Sequence, residues 1–217
     1  MKALNAIIIG ATGATGTALI EQLINEPNFK KVVVFSRTSP NIKNEKLVVK
    51  IVDFNNIDHW KNDIQGDVLF SAMGTTLKDA GSKLNQQNVD FTYQYNVAVA
   101  AANNKVKKLI LVSSIGANSS SIFFYPKIKG QLEDAVKPLK FNTIYILQPP
   151  FLIRQKEKMR SNEKSGIKII QSLNKIGLLK SQKPLEVAIL AKKMILLAKK
   201  ETDEKYNVIN PSKIFQL

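Results

Sequence analysis

Three side chains are of the types needed to move a proton onto or off a carbonyl oxygen: Ser114, Tyr125 and Lys129. A tyrosine and a lysine four residues apart can share one face of a helix. The chemistry calls for that spacing, because a phenol with a free pKa of ~10 is a poor acid–base at neutral pH. An ammonium group beside it favours the phenolate and draws its pKa toward the working range. In a lysine-rich chain a lone Tyr-x-x-x-Lys arises easily. Its place gives it weight here: it follows Val112-Ser113-Ser114, a strand end that carries hydroxyls at its carboxyl tip.

A second group of residues lies near the start. Ile7-Ile8-Ile9 runs into Gly10-Ala11-Thr12-Gly13-Ala14-Thr15-Gly16, a G-x-x-G-x-x-G spacing between a strand and a helix. Gly10 would permit the sharp turn out of the strand, Gly13 the approach of a pyrophosphate, and Gly16 close packing of helix on sheet. The helix start then offers unpaired N–H groups and a positive dipole to phosphates. A plain strand–helix turn rarely needs three glycines in this register. The expected ligand is a dinucleotide, held by Gly10, Thr12, Gly13, Ala14, Thr15 and Gly16. Its kind is decided at the end of the second strand, where an NAD site usually carries Asp or Glu. Here stand Ser36 and Arg37, with no acid before Glu45. A hydroxyl and a guanidinium suit a 2′-phosphate, so NADP(H) is expected, with NAD(H) the lesser alternative.

The elements that must position these residues are legible as short apolar runs. Ala6–Ile9, Val32–Phe35, Leu47–Val52, Val68–Phe70, Leu109–Val112 and Thr143–Leu147 read as strands buried on both faces. Helical stretches are expected at Thr17–Ile24, Leu84–Asn103, Pro126–Val136 and Leu185–Lys199, and Tyr206–Ile209 as a closing strand. Pro126 disfavours helical backbone at the residue before it, which predicts Tyr125 as the helix cap. Strands alternating with helices imply an α/β fold, a Rossmann-type doubly wound parallel sheet with helices on both faces. The strand order expected from that class is 3-2-1-4-5-6. The chain reads as a single NAD(P)-binding domain over 1–217, with 150–200 forming most of a small substrate cap.

These residues resemble the short-chain dehydrogenase/reductase superfamily, and within it the atypical Tat-interacting-protein-like oxidoreductases. The similarity covers about residues 5–155. It rests on the glycine loop, Ser71-Ala-Met-Gly-Thr-Thr-Leu-Lys-Asp-Ala-Gly81, Val89-Asp90, Val112-Ser-Ser-Ile-Gly-Ala117 and Tyr125-Pro-Lys-Ile-Lys-Gly130. Leu139-Lys-Phe141 and Gln148-Pro-Pro150 add to it. The resemblance implies that Ser114 orients a substrate carbonyl while Tyr125 transfers the proton. It implies that Lys129 holds the nicotinamide ribose and lowers the tyrosine pKa. Ala72, Met73 and Gly74 would line the cofactor, Asp53 and Phe54 would sit beside the adenine, and Phe151 and Leu152 would approach the nicotinamide. Asp90 stands where many extended members carry Asn, and so brings no amide donor.

Composition bounds the remaining readings. The 217 residues contain no cysteine, which excludes a disulfide framework, a thiolate zinc site and a cysteine nucleophile. No long uncharged apolar run occurs, so no integral membrane association is expected. Without a signal-peptide pattern at the start, the expected location is cytoplasmic. The net charge of +15 is carried almost wholly by lysine and is densest over 154–168. A nucleic-acid module would add arginine forks or stacking aromatics, so no specific nucleic acid is expected. His59 reads as a surface or packing residue, Phe123-Phe124 equally as substrate-pocket lining or core packing, and Asp53, Asp58, Asp63 and Asp67 lack metal-ligand spacing. The expected function is an NADP(H)-dependent oxidoreductase acting on a small carbonyl or alcohol substrate. Two alternatives are a non-catalytic NADP(H) sensor that binds a protein partner, and a nucleotide-sugar epimerase or dehydratase.

Overall fold

The structure, a computed structural model, describes residues 3–153 and 183–217. The basic stretch 154–168 and the helix expected at 167–173 lie outside the described residues.

Seven strands form one parallel sheet. They are β1 (Leu4–Ile9), β2 (Phe29–Ser36), β3 (Leu47–Ile51), β4 (Val68–Ser71), β5 (Lys108–Val112), β6 (Thr143–Leu147) and, late in the chain, β9 (Tyr206–Ile209). Their order is β3-β2-β1-β4-β5-β6-β9, the expected 3-2-1-4-5-6 with the closing strand added beside β6. Two short strands, β7 (Leu152–Ile153) and β8 (Leu185–Glu186), pair separately. The all-apolar runs are explained by helices on both faces. Ala6, Ile8, Val32, Val34 and Phe70 point to one side, and Ile7, Ile9, Val33, Phe35 and Leu69 to the other, all buried.

On the first face lie α1 (Ala14–Leu23) and α6 (Val187–Lys199), packed against each other. Leu190, Ala191, Met194 and Leu197 of α6 are fully enclosed in that core. Gln22 donates to the carbonyl of Ala188 at 2.8 Å, and Lys199 pairs with Glu26 at 3.0 Å. Of the span 150–200, α6 therefore belongs to the layer that covers the sheet. The chain ends in α7 (Pro211–Gln216), capped by the Asn210 side chain.

The second face carries α4 (Tyr93–Asn103) and α5 (Phe124–Val136). The single helix expected over Leu84–Asn103 is a composite. After a short α2 (Leu77–Ala80), α3 (Lys83–Gln87) runs through a π-turn at Asn88–Thr92 into α4. Such wider turns recur at functional sites because the extra residue redirects a side chain. Here Asp90, in the middle of the turn, is completely buried. Helix α5 begins two residues earlier than expected: Phe123 is its cap and Tyr125 lies inside its first turn. Pro126 is tolerated there because a first-turn N–H has no intrahelical partner to lose. Tyr125 is thus helical, not the cap.

Candidate functional site

The carboxyl ends of β1, β2 and β4 open onto a cleft of about 500 Å³, where a doubly wound sheet binds its ligands. Gly10, at φ +81°, makes the turn out of β1, and a side chain there would collide with the Ala72–Met73 backbone. Gly16 lies in α1 against Gly10 and Ala11, where a Cβ would strike the Gly10 carbonyl. Thr15 is buried beside it. Packing alone accounts for glycine at both 10 and 16; Gly10 also lines the cleft, whereas Thr15 and Gly16 do not. Gly13 differs. Its φ of −77° suits any residue, and an added Cβ would meet only the Gly10 carbonyl oxygen, at 3.3 Å. Gly13 caps α1 and faces the cleft together with Thr12 and Ala14. A Cβ there is tight but needs only a small shift of that carbonyl, so the fold demands glycine less at 13 than at 10 or 16, whereas close approach of a phosphate to a helix N-terminus does demand it.

That contrast makes a prediction. Gly13→Leu should shift the melting temperature by only a few degrees, yet weaken NADPH and NADH alike by ~tenfold or more, roughly 1.4 kcal/mol. Fluorescence titration of both cofactors beside a thermal melt checks it. A Gly13→Leu protein that binds both normally would remove the pyrophosphate from this loop.

At the end of β2, Arg37 is exposed, lines the cleft and makes no ion pair among the described residues. Ser36 also borders the cleft, but it is buried and its hydroxyl is given to the Thr38 carbonyl. Asp53 and Phe54, expected as a pair, part company. The Phe54 ring lines the cleft, edge-to-face with Trp60 and tilted against Tyr93. Asp53 is absent from the lining, and its carboxylate caps the turn that follows. It accepts from the Asn55 N–H at 2.9 Å and the Asn56 amide at 2.6 Å, bonds that hold it below the usual carboxylate range.

The opposite wall is Ala72, Met73 and Gly74, as expected, extended by Thr75 and Thr76, which the Gly-Thr-Thr segment contained without their contribution being readable. Tyr125 closes this wall at the far end and is 37% exposed. Burial and the nearby Asp90 carboxylate push its phenol up to about 12, against a hydrogen bond with Ser114 that acts in the other direction. Ser114 thus stands beside the phenol, although its hydroxyl also donates to the Ile115 carbonyl at 3.2 Å and it is absent from the cleft lining. Phe151 and Leu152 do not line the cleft among the described residues.

Lys129 lies one turn along α5 from Tyr125 but faces inward. Its ammonium is buried, 3.3 Å from the Val112 carbonyl and 3.5 Å from Asp90 Oδ1. Asp90 in turn accepts from the Thr75 N–H at 3.2 Å, which ties the pair to the cleft wall. Burial pulls the Lys129 pKa down and pushes that of Asp90 up, and each opposes this shift in the other. Lys129 is absent from the cleft lining and from the groups that act on the Tyr125 phenol, which burial first and Asp90 second push up; the ammonium is taken by Asp90 and the Val112 carbonyl instead.

Two further residues had no readable signal. Gly130 sits where α5 presses on the loop after β5, and a Cβ there would strike the Asn118–Ser119 backbone. Glu133 is buried beneath the site and bonded to Ser113 and Gln148. Among the described residues no cluster of acids and histidines could hold a metal ion. Nor is any helix among them long and apolar enough to cross a membrane.

Comparison with known proteins agrees with this geometry. The NAD(P)H-binding family matches residues 10–161. Among curated relatives, the protein FMP52, mitochondrial, of Candida albicans is 34% identical over 71% of this chain and 70% of its own length. FMP52-1, mitochondrial, of Scheffersomyces stipitis is 35% identical over 71% and 70%. Solved structures with the same fold include a UDP-N-acetylglucosamine 4-epimerase from Methanobrevibacter ruminantium (TM-score 0.70, 20% identity, 97% of this chain and 76% of that one). Another is the Bordetella bronchiseptica enzyme WbmG in complex with NAD (TM-score 0.72, 15% identity, 96% and 72%). At such identities the likeness is one of fold. The expected cytoplasmic location is overturned by the curated relatives, which are named mitochondrial; a leader-free reading of the first residues had carried it. The glycine loop, the cleft and the family match lead to one conclusion: the chain belongs to the NAD(P)H-binding family.

Proposed function

We propose that the protein is an NADP(H)-dependent oxidoreductase acting on a small carbonyl or alcohol substrate. One observation carries this reading: the Tyr125 phenol, beside Ser114, borders the same cleft as the glycine loop. The residues fit the cofactor. Gly13 leaves room for a pyrophosphate at a helix N-terminus, Phe54 borders the cleft where the adenine would lie, and Arg37 offers the ribose a guanidinium without an ion pair among the described residues. When bound, the nicotinamide supplies or accepts the hydride. Ser114 orients the substrate oxygen, and Tyr125 moves the proton. With its pKa near 12 the phenol is a proton donor across the neutral range, which favours carbonyl reduction. Reduction should therefore stay nearly level with pH up to the alkaline range, whereas alcohol oxidation should rise with it.

The cofactor preference rests on Arg37. NADPH should bind at least ~tenfold tighter than NADH, and Arg37→Ala should erase that difference while leaving NADH affinity nearly as it was. Equal affinities in the unmodified protein would remove Arg37 from the ribose. For the reaction, a panel of aldehydes, ketones and alcohols followed by NADPH absorbance is the direct test. A non-catalytic NADP(H) sensor is the second reading, favoured by the engagement of Lys129 with Asp90 and Val112. It takes the lead if no member of the panel turns over.

A further inference from the structure

Glu133 is a buried carboxylate that the proposed reaction does not use. It follows Lys129 by one turn of α5 and Tyr125 by two, on the same side of the helix. Only 7% of it is exposed. Oε1 accepts from the Ser113 hydroxyl and, at 3.1 Å, from the Gln148 side-chain amide, which also reaches Oε2 at 3.0 Å. Burial raises its pKa and these bonds lower it; Lys129 also lowers it, while Asp134 raises it. From β9, Tyr206 faces the same charge.

The two donors sit at particular points of the chain. Ser113 immediately precedes Ser114 just past the end of β5, so holding the Ser113 hydroxyl inward fixes where the chain places Ser114. Gln148 immediately precedes Pro149, whose carbonyl receives the Ile115 N–H at 3.0 Å. The Ser113 N–H, in turn, bonds the Leu147 carbonyl at 2.7 Å. One carboxylate thus joins the helix that carries Tyr125 to both strand ends that bracket Ser114. A buried polar network of this kind is costly unless every member is satisfied, and it is rigid when satisfied.

We propose that Glu133 is a positioning residue: its carboxylate clamps α5 to the ends of β5 and β6 and so sets the distance between Ser114 and Tyr125. The kinetic consequence rests on the proton-transfer role given to Tyr125 above, whereas the clamp itself does not. A group that only stabilises the core would change the melting temperature and leave the kinetics of the folded fraction alone. A positioning group changes kcat, because small displacements of reacting groups cost up to ~10²-fold.

The test compares Glu133→Ala, Glu133→Gln and Gln148→Leu. Glutamine keeps a carbonyl oxygen at the Oε1 position, which receives both donors, and so should recover most of what alanine loses. In Glu133→Ala, kcat should fall ~10-fold to ~10²-fold while NADPH affinity stays within about twofold, since the glycine loop is untouched. The Ile115 amide is a reporter that needs no turnover: its hydrogen exchange should quicken at least ~tenfold in Glu133→Ala and far less in Glu133→Gln. If Glu133→Ala does not fold, Gln148→Leu, which removes one donor, should give the same pattern in weaker form. Exchange at Ile115 that responds to Glu133 in a protein without carbonyl turnover supports the clamp and removes the oxidoreductase reading. Unchanged Ile115 exchange in a folded Glu133→Ala protein overturns the clamp, and quickened exchange with kcat within twofold of the unmodified protein overturns its positioning of the reacting groups.

Discussion

Tyr125→Phe should lower NADPH-linked carbonyl turnover by ~10²–10⁴-fold while NADPH affinity stays within a few-fold. The substitution keeps the ring against the cleft wall and removes only the hydroxyl, which is the group assigned to the proton. The predicted asymmetry comes from position. Tyr125 borders the cleft from α5, whereas Gly13 and Arg37, proposed for the phosphate and the ribose, lie at the start of α1 and just past β2. Ser114→Ala should act in the same direction, with cofactor binding again preserved, because Ser114 meets the phenol and not the glycine loop. Steady-state kinetics and cofactor titration on the same preparations check both. Turnover that survives in Tyr125→Phe would put the proton on another group.

The second large effect concerns the buried pair. Lys129→Met strands the fully buried Asp90 carboxylate, and Asp90→Leu strands the Lys129 ammonium. Removing one partner of such a pair typically costs about 3–5 kcal/mol, because an uncompensated charge remains in the interior. For a chain of this size that is a loss of roughly 6–20 °C in melting temperature. The double replacement Lys129→Met with Asp90→Leu should cost clearly less than the sum of the two. Chemical denaturation of the four proteins measures that coupling, and strict additivity would mean the pair does not interact. Asp90→Asn carries a separate, spectroscopic consequence. The Asp90 charge helps hold the Tyr125 phenol at about 12, so its removal should bring the phenolate titration down in pH. The ultraviolet difference between Asp90→Asn and its Tyr125→Phe derivative isolates that one tyrosine.

The architecture was legible because its signals are local. Wholly apolar runs such as Ile7–Ile9 and Val32–Phe35 can be satisfied only by a sheet covered on both faces, and the glycine spacing marks the one turn where strand, helix and phosphate must crowd together. Order and direction of the first six strands followed from that class, whereas the place of the closing strand beside β6 did not. Position within a local motif also found most of the cleft: Thr12, Gly13, Ala14, Arg37, Phe54, Ala72, Met73, Gly74 and Tyr125 all reach it.

What escaped the sequence depends on contacts between residues far apart in the chain. Asp53 and Phe54 are neighbours, yet a side-chain cap turns one away from the cleft while aromatic packing turns the other into it. A helical pattern cannot reveal the π-turn at Asn88–Thr92, because apolar periodicity tolerates one extra residue; that residue is what delivers Asp90 to Lys129 across a separation of 39 positions. Spacing alone made Lys129 the partner of Tyr125, since four residues on a helix share a face. Packing against α4 and β5 gave the ammonium to a carboxylate and a carbonyl instead, because in a low-dielectric interior a lysine must take the nearest compensating charge.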